Sequence, residues 1–423
     1  MKNKSPLAAE KKAPAERIGF RAWLRRGWPA LVILAVCLGV FFYLLHSANQ
    51  NVPSYAGSRE EGEYEDETGR IRVSVEKAEV VNISRDTVST NRDQPDGKPN
   101  GSQTLLVRLR TGTHAGETLP LSHPHFVGVY TGEPAAVGDV ITVLQRENLT
   151  TGRILDLDMK NYDRSGGVWL VLVLFVLAVV AVGGWTGLKS LLGLALTVVT
   201  LIWIYIPLWL KGAQPLPLAF GLCALVAVMS FVILGGTSRK IVCAILGTVA
   251  GMGLAAAFSA LAQSILRIDS YAMYEAGADF AELANLQGRG VALHLQGLLS
   301  AGILISSLGA VMDVAMSLSS AIGELKTVNA TLGPKALWRS GMRIGRDMVG
   351  TMTNTLILAF VGGSLVLVIR LWMQGASFPS LMASRYLSVE LVSAISSSVG
   401  VILAVPLTAL ISAILNGRPA KKK

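Results

Sequence analysis

The sequence predicts a polytopic α-helical membrane protein of about eight transmembrane helices, with a small β domain between the first and second helix. Three observations support this fold class. Of the 423 residues, 51% are hydrophobic and only 16% are charged, whereas a soluble domain carries about a quarter charged residues. Most apolar residues gather in runs long enough to cross a bilayer. One stretch between the first two runs instead alternates apolar and polar residues, which is typical of strands.

Charge and metal-ligating residues exclude several classes of function. The formal net charge of +10 does not indicate nucleic-acid binding, because the basic residues gather at the ends of apolar runs, as in membrane proteins. Cys37, Cys223 and Cys243 lie inside apolar runs, with neither disulfide nor zinc spacing. His123 and His125 lack further ligands, so we interpret them as loop histidines. We expect no cofactor and no metal site.

The N-terminal part is predicted to form a membrane anchor followed by a linker. Residues 1–28 form a basic N-terminus, and residues 29–45 form an apolar run of signal-anchor length. The small pair Ser47-Ala48 is compatible with signal-peptide cleavage, but no A-x-A site is present, which favours a retained helix. Residues 46–69 are an acidic linker. Under either interpretation the segment that follows the apolar run is translocated to the extracytoplasmic side.

Residues 70–165 are predicted to form an extracytoplasmic β domain. Apolar residues alternate with polar ones in two segments, 71–75 and 105–109, and Val140 and Val143 follow a turn at Gly138-Asp139. Such short alternating strands favour a small β-barrel or sandwich, with an OB-like barrel as the preferred form. This domain is the part expected to bind an envelope protein, if the chain has such a partner.

Residues 166–415 are predicted to hold seven further transmembrane helices, before a basic tail at 416–423. Basic residues are concentrated in alternate loops, so the positive-inside rule places both termini in the cytoplasm and residues 47–165 outside. Gly247-x-x-x-Gly251 indicates close helix packing. The predicted spans are 168–184, 190–210, 215–236, 241–266, 294–322, 348–371 and 388–413.

The span at 294–322 carries a carboxylate, Asp313, in its apolar sequence. Asp313, Ser317, Ser320 and Glu324 follow at helical spacing and share one face. A carboxylate in hydrocarbon costs several kcal/mol and usually faces a protein interior or a wet cavity. Asp313 is therefore the leading candidate for a functional group. Glu324 lies near the cytoplasmic interface, as either a vestibule residue or a solvated helix end.

The next span presents a second polar face, with Asp347, Thr351, Asn354 and Thr355 at helical spacing. Asp347 is interfacial, with the same two interpretations as Glu324. Both faces begin at the cytoplasmic boundary and reach a similar depth, so we expect Asp313 and the Thr351/Asn354 face to approach and bury each other. The serine and threonine hydroxyls have a purely structural alternative to a functional role, because they can donate hydrogen bonds to carbonyls of their own helix.

Two stretches in these spans resemble the signature segments of the YibE/F family of bacterial multi-pass membrane proteins: GAVMDVAMSLSSAIGEL and GRDMVGTMTNTLILAFVG. The resemblance covers the chain from about residue 70 to the last span. It implies a bacterial plasma-membrane protein with an extracytoplasmic domain, and it carries over no catalytic residue, because the family has no established biochemical activity. The matching positions are Met312, Asp313, Ser319, Ser320, Arg346, Asp347, Gly350, Thr351, Thr353, Asn354 and Thr355.

Three functions of different classes fit these residues. The leading hypothesis is a transporter or permease for an unknown small solute or ion, coupled to protons or cations through Asp313. An envelope assembly scaffold is the alternative, and an oligomer fits either class. An intramembrane hydrolase using Asp313 and Asp347 is the third, although no G-x-S-x-G or H-E-x-x-H motif accompanies them. We therefore leave enzymatic activity open but expect none.

Overall fold

A computed structural model describes residues 20–50, 62–66, 69–90, 99–125, 134–268, 294–375 and 377–417. By its internal contacts the chain divides into two compact units. The β unit comprises Ser54–Ala178, and the helical unit comprises Met1–Pro53 with Val179–Lys423. The boundary falls inside the first helix that follows the sheet. The two units are described separately below.

The β unit contains one antiparallel sheet, whose strands follow the order β5-β4-β2-β6-β7. β1 pairs with the first part of β2, and β3 pairs with the start of β4. The long strand β2 bends at two register shifts, near Val80 and near Ile83. β5 and β7, at the ends of the sheet, approach each other. The strands are β1 (Gly62–Asp66), β2 (Gly69–Asp86), β3 (Ser89–Thr90), β4 (Pro99–Leu109), β5 (Thr118–His125), β6 (Val140–Asn148) and β7 (Arg153–Tyr162).

This sheet is a curved half-barrel, so the predicted small β domain is confirmed in its coarser form. Alternate residues of the central strands point inward and build one core, as the period-2 pattern requires. No closed barrel is formed by the described strands. The buried core residues include Ala78, Val80, Leu105, Val107, Leu109, Leu121, Ile141 and Val143.

The helical unit is built from long apolar helices. A π-helical segment, Leu201–Tyr205, joins the second helix to the third. The helices are α1 (Phe20–Asn49), α2 (Ser165–Thr200), α3 (Ile206–Leu210), α4 (Pro215–Gly235), α5 (Arg239–Leu266), α6 (Leu298–Val328), α7 (Pro334–Gly363), α8 (Leu365–Met373), α9 (Phe378–Ala383) and α10 (Arg385–Gly417). The first 14 residues of α2 belong to the β unit.

By length and composition, six helices of the described chain are suited to cross a membrane, or seven if the bent pair α7 and α8 is one span. The predicted count of eight is therefore not confirmed. The difference arises at Ser165–Leu210, which is one continuous stretch of 46 residues where the sequence predicts two spans. Gly184 interrupts this stretch with a non-helical backbone (φ 53°, ψ −136°). A straight helix of that length would measure about 70 Å, more than twice the thickness of the hydrocarbon layer.

The centre of the helical unit is formed by α5, α6 and α10, which pack closely on one another. Glycines on α5 bring the backbones together, because a Cβ at Gly247 would collide with Thr408 and one at Gly251 would meet Ala404 at 2.8 Å. The predicted close packing at these two glycines is confirmed. On the other side α7 packs against α10, where Gly345 lies against Val405.

Candidate functional site

The polar face of α6 points away from the core of its own chain. The opposite face is fully packed, with Val311, Ala315 and Leu318 buried against neighbouring helices. Asp313 and Ser317 are exposed, and Ser320 is half-buried. Glu324, one turn further, is also exposed. The four residues share one side of α6, as their spacing predicts, but no described helix encloses Asp313, Ser317 or Glu324.

Asp313 occupies the middle of α6. The helix has 31 residues, so Asp313 lies about 22 Å from either end at the helical rise of 1.5 Å. No part of the described chain provides a hydrogen bond or an ion pair to its carboxylate. At the centre of a spanning helix, transfer scales assign a lipid-exposed carboxylate a cost of roughly 2.5–3.5 kcal/mol. This position is consequently the least favourable one in α6 for a side chain that faces lipid.

The polar face of α7 is exposed in the same way. Asp347, Thr351, Asn354 and Thr355 all lie outside the packed face, which contains the buried residue Gly345. The Thr351 hydroxyl donates to the Met348 carbonyl at 3.1 Å, and the Thr355 hydroxyl donates to the Thr351 carbonyl at 2.9 Å. The threonines thus satisfy their donors within the helix. The Asn354 amide has no partner among the described residues.

The two polar faces lie at a similar depth, but they do not bury each other. A Cβ at Gly341 would meet Ile322 at 2.6 Å, so α6 and α7 are in contact near this point. Asp313 precedes Ile322 by nine residues and Gly350 follows Gly341 by nine, which places Asp313 level with the Gly350–Thr351 region of the antiparallel helix. However, Asp313, Thr351 and Asn354 are all exposed, and no hydrogen bond joins them. The expectation of mutual burial within one chain is wrong.

The reason is the packing of α7, which turns its glycine-bearing face to α10 and to Ile322. Small residues at Gly341 and Gly345 allow this close approach, so the buried face of α7 is determined by backbone contact. The polar residues remain on the part of the helix surface that no described element covers. Nothing in the sequence of α7 reveals which neighbour its glycines will meet.

A set of hydroxyl contacts between helices was not singled out as a site from the sequence. The Gln263 side chain donates to the Ser300 hydroxyl at 2.7 Å and to the Ser259 hydroxyl at 2.8 Å, which ties α5 to α6. Ser306 of α6 and Ser397 of α10 lie 3.5 Å apart. These pairs satisfy polar groups between helices, as in other membrane bundles. Their partners identify them as structural ties.

The π-helical segment borders an apolar cavity that sequence reasoning also missed. The cavity is small and partly open, with a volume of about 10 Å³ that has room for about one water molecule, and it lies between the π-helical segment, α4 and α6. The Tyr205 hydroxyl is buried nearby without a hydrogen-bond partner among the described residues. The lining includes Thr197, Thr200, Tyr205, Cys223, Ile305 and Leu308. The sequence analysis assigned Leu201–Tyr205 to the span predicted at 190–210, so it gave no separate signal for this feature.

In the β unit His114 lies among acidic residues, and His123 and His125, which the sequence suggested to be loop histidines, belong to strand β5 instead. The ring of His114 lies 3.0 Å from Glu117 through Nδ1 and 3.3 Å from Glu147 through Nε2. The hydrogen bond with Glu117 and then that with Glu147 raise the pKa of His114 above its usual value. His123 is buried within β5, and the side chain of His125 lies outside the described residues. No group of three or more metal-ligating side chains occurs among the residues described.

The beginning of α2 is fixed to the sheet by a charged contact in the β unit. The Lys77 ammonium lies 2.7 Å from Asp163, and the Ser165 amide donates to the same carboxylate at 3.0 Å. The hydrogen bond from Lys77, followed by those from Ser165, lowers the pKa of Asp163 to about 2. Asp163 thereby connects β2 to the first residue of the helix.

Long apolar helices packed through glycines, with polar residues kept to single helix faces, fit the class of multi-pass membrane proteins. A family model described as YibE/F-like protein matches residues 171–418. The chain belongs to the YibE/F-like family. No curated protein and no solved structure matches it. The family match begins within α2, so it does not include the sheet of the β unit, to which the sequence resemblance extends.

Proposed function

We propose that this protein is a membrane transporter in which Asp313 is the titratable group of a polar pathway along α6 and α7. One observation carries the proposal: a carboxylate without a partner among the described residues lies midway along a long apolar helix, on a face that no described element covers. An ionisable group at this depth is typical of proton- and cation-coupled pathways. Ser317, Ser320, Thr351, Asn354 and Thr355 supply the uncharged polar groups of the pathway.

Helix geometry determines the order of the polar residues along the proposed pathway. Ser317, Ser320 and Glu324 continue the face of Asp313 toward the C-terminal end of α6, while Asp347 begins the corresponding face of α7. Glu324 and Asp347 would act as a vestibule at this end. Thr351 and Asn354 continue the row of polar groups beyond the level of Asp313. A cation or a solute with hydrogen-bonding groups matches this series of acceptors better than an anion does.

The proposed topology has eight spans, with both termini cytoplasmic and residues 47–165 outside the plasma membrane of a bacterium. The break at Gly184 supports this count, because it allows the 46 residues of Ser165–Leu210 to cross twice. An even number of spans then places Arg239, Lys240 and Lys326 on the same side as the basic N-terminus. This arrangement follows the positive-inside rule.

A flux assay on the purified full-length chain in liposomes tests the proposal. A panel of cations and small solutes is measured with and without a pH gradient, for the wild type and for Asp313→Asn. We expect a solute whose flux responds to the gradient and is lost in Asp313→Asn. Glu390→Gln, which removes an acidic group of α10 outside the pathway, should retain the flux and is the matched control.

An assembly scaffold is the second candidate function, since the β unit forms its own compact sheet outside the region that the family model matches. If the protein is a scaffold, the wild type and Asp313→Asn should both show only background flux. Cells that carry either protein should then have the same phenotype. Flux that survives in Asp313→Asn would refute the role of the carboxylate. The two outcomes separate the candidates.

A further inference from the structure

The outward face of α6 combines an unpaired carboxylate with glycines that no neighbouring side chain contacts. A Cβ added at Gly302 or at Gly309 would meet nothing within 4 Å, whereas glycines on the packed faces of α5 and α7 already touch a neighbour. Gly302, Gly309, Asp313 and Ser317 lie on the same side of the helix. Small residues at this spacing allow another helix to approach closely. Among the described residues, α10 reaches the edge of this side at Ser306, whose hydroxyl lies 3.5 Å from that of Ser397. No described helix covers Gly309, Asp313 or Ser317.

A lipid environment does not suit this face. Lipid tails offer no hydrogen bonds, so the carboxylate of Asp313 would remain unsatisfied at the middle of the helix. The glycine positions would also leave shallow grooves that acyl chains fill poorly. The exposed surface of α5 differs, because it carries large apolar side chains such as Val242 and Leu261. The α6 face is thus chemically distinct from the surfaces suited to lipid.

We infer that a second copy of this chain covers the α6 face, with the α7 polar face of each copy lying against α6 of the other. The two faces are complementary, since α6 presents the acceptor Asp313 and α7 presents the unpaired donor amide of Asn354. They lie within about one helical turn of the same depth. A two-fold axis along the membrane normal keeps each residue at its depth, so both contacts form twice.

This arrangement completes the proposed site without rearranging the chain. Each Asp313 would gain an amide and hydroxyl neighbours from the other copy, and two equivalent polar pathways would lie at the interface. The inference does not depend on transport, because an assembly scaffold with the same exposed face would need the same cover. A negative flux assay would therefore leave it intact.

Cross-linking between differently tagged copies tests the interface. All three cysteines are first replaced, and one copy then carries Gly309→Cys while the other carries Asn354→Cys. These two residues are at the same level, by the helix register set at Ile322 and Gly341. In native membranes a short bismaleimide should join the two tags. The matched control replaces Gly309→Cys by Leu254→Cys, an exposed position on α5 that the contact between Gly251 and Val311 places at nearly the same level, and should yield several-fold less cross-tag product.

A second measurement keeps the inference falsifiable if a cysteine variant fails to fold. The mass of the wild-type chain in lipid nanodiscs should correspond to two copies. One copy per nanodisc overturns the inference. It is also overturned if Gly309→Cys and Leu254→Cys give equal cross-tag product, or if a lipid-phase probe labels Gly309→Cys as freely as it labels Leu254→Cys. The last result would show that lipid covers the face.

Discussion

The carbonyl oxygen of Val179 lies 2.5 Å from the position that a Cβ would take on Gly187. These residues are eight positions apart, which in a straight α-helix corresponds to about 12 Å along the axis. The chain therefore folds back at Gly184, where the backbone leaves the helical region. The bend at Gly184 therefore divides Ser165–Leu210 into two helical halves.

Replacing Gly187 by alanine should destabilise the helical unit. The added methyl group would press on a backbone carbonyl, which cannot rotate away as a side chain can, and overpacking of this kind costs about 1–3 kcal/mol. Gly183→Ala is the control, since nothing lies within 4 Å of its Cβ position. Heating in detergent, followed by size-exclusion chromatography of the remaining folded protein, should show a lower midpoint for Gly187→Ala only. Equal midpoints would contradict the fold-back at Gly184.

The fold-back also predicts the sidedness of the exposed residues Thr186 and Gln214. In a background without other cysteines, Gln214→Cys should react with an impermeant thiol reagent added to intact spheroplasts. Thr186→Cys should react only after permeabilisation, because one membrane crossing separates the two residues. Labelling of both from the same side would show that Ser165–Leu210 does not cross twice, and the eight-span topology would then be abandoned.

Two glycines of α7 should respond in opposite ways to the same substitution. Gly345→Ala places a methyl group on Val405, so we expect a loss of about 1–3 kcal/mol. Gly350→Ala meets nothing within 4 Å and should gain up to about 1 kcal/mol from helix propensity. Thermal midpoints of the two purified variants measure the difference. A gain in Gly345→Ala would be incompatible with the observed packing of α7 on α10.

The His114 cluster should make local stability in the β unit depend on pH. Its pKa is raised in the folded chain by Glu117 first and then by Glu147. The stabilisation is therefore fully present below the unfolded value of about 6.5 and is lost as pH rises through the folded pKa. Hydrogen exchange of residues 110–117 in full-length protein should be faster in His114→Gln than in the wild type at pH 5.5. This difference should shrink at pH 8.5; a difference that persists unchanged would argue against the titration of His114.

The Asp163 contact predicts a second dependence at acidic pH. Its pKa is lowered to about 2, with the hydrogen bond from Lys77 as the largest cause. The stabilisation is present above the unfolded value of about 3.9 and is lost as pH falls through the folded pKa. Asp163→Asn should therefore loosen the start of α2 at pH 6, seen as faster hydrogen exchange near Ser165, and should resemble the wild type at about pH 2. Equal exchange of the two proteins at pH 6 would show that the contact does not hold the helix start.

The amino-acid sequence by itself determined the local features of this protein. Runs of apolar residues define the helices suited to a membrane, and the alternation around Leu105–Leu109 defines strands, because both patterns depend only on backbone periodicity. The grouping of Asp313 with Ser317, and of Thr351 with Asn354, follows from the same helical spacing. The two signature stretches also sufficed to identify the family.

Only the tertiary structure decided which faces are covered. Packing of Gly341 and Gly345 against other helices turns the α7 polar face outward, and Val311 and Leu318 turn Asp313 outward from the core. The fold-back at Gly184 and the pairing of His114 with Glu147 likewise join residues that local patterns treat separately. A residue's spacing along its helix fixes its neighbours on that helix, but contact between helices depends on the shapes of both surfaces.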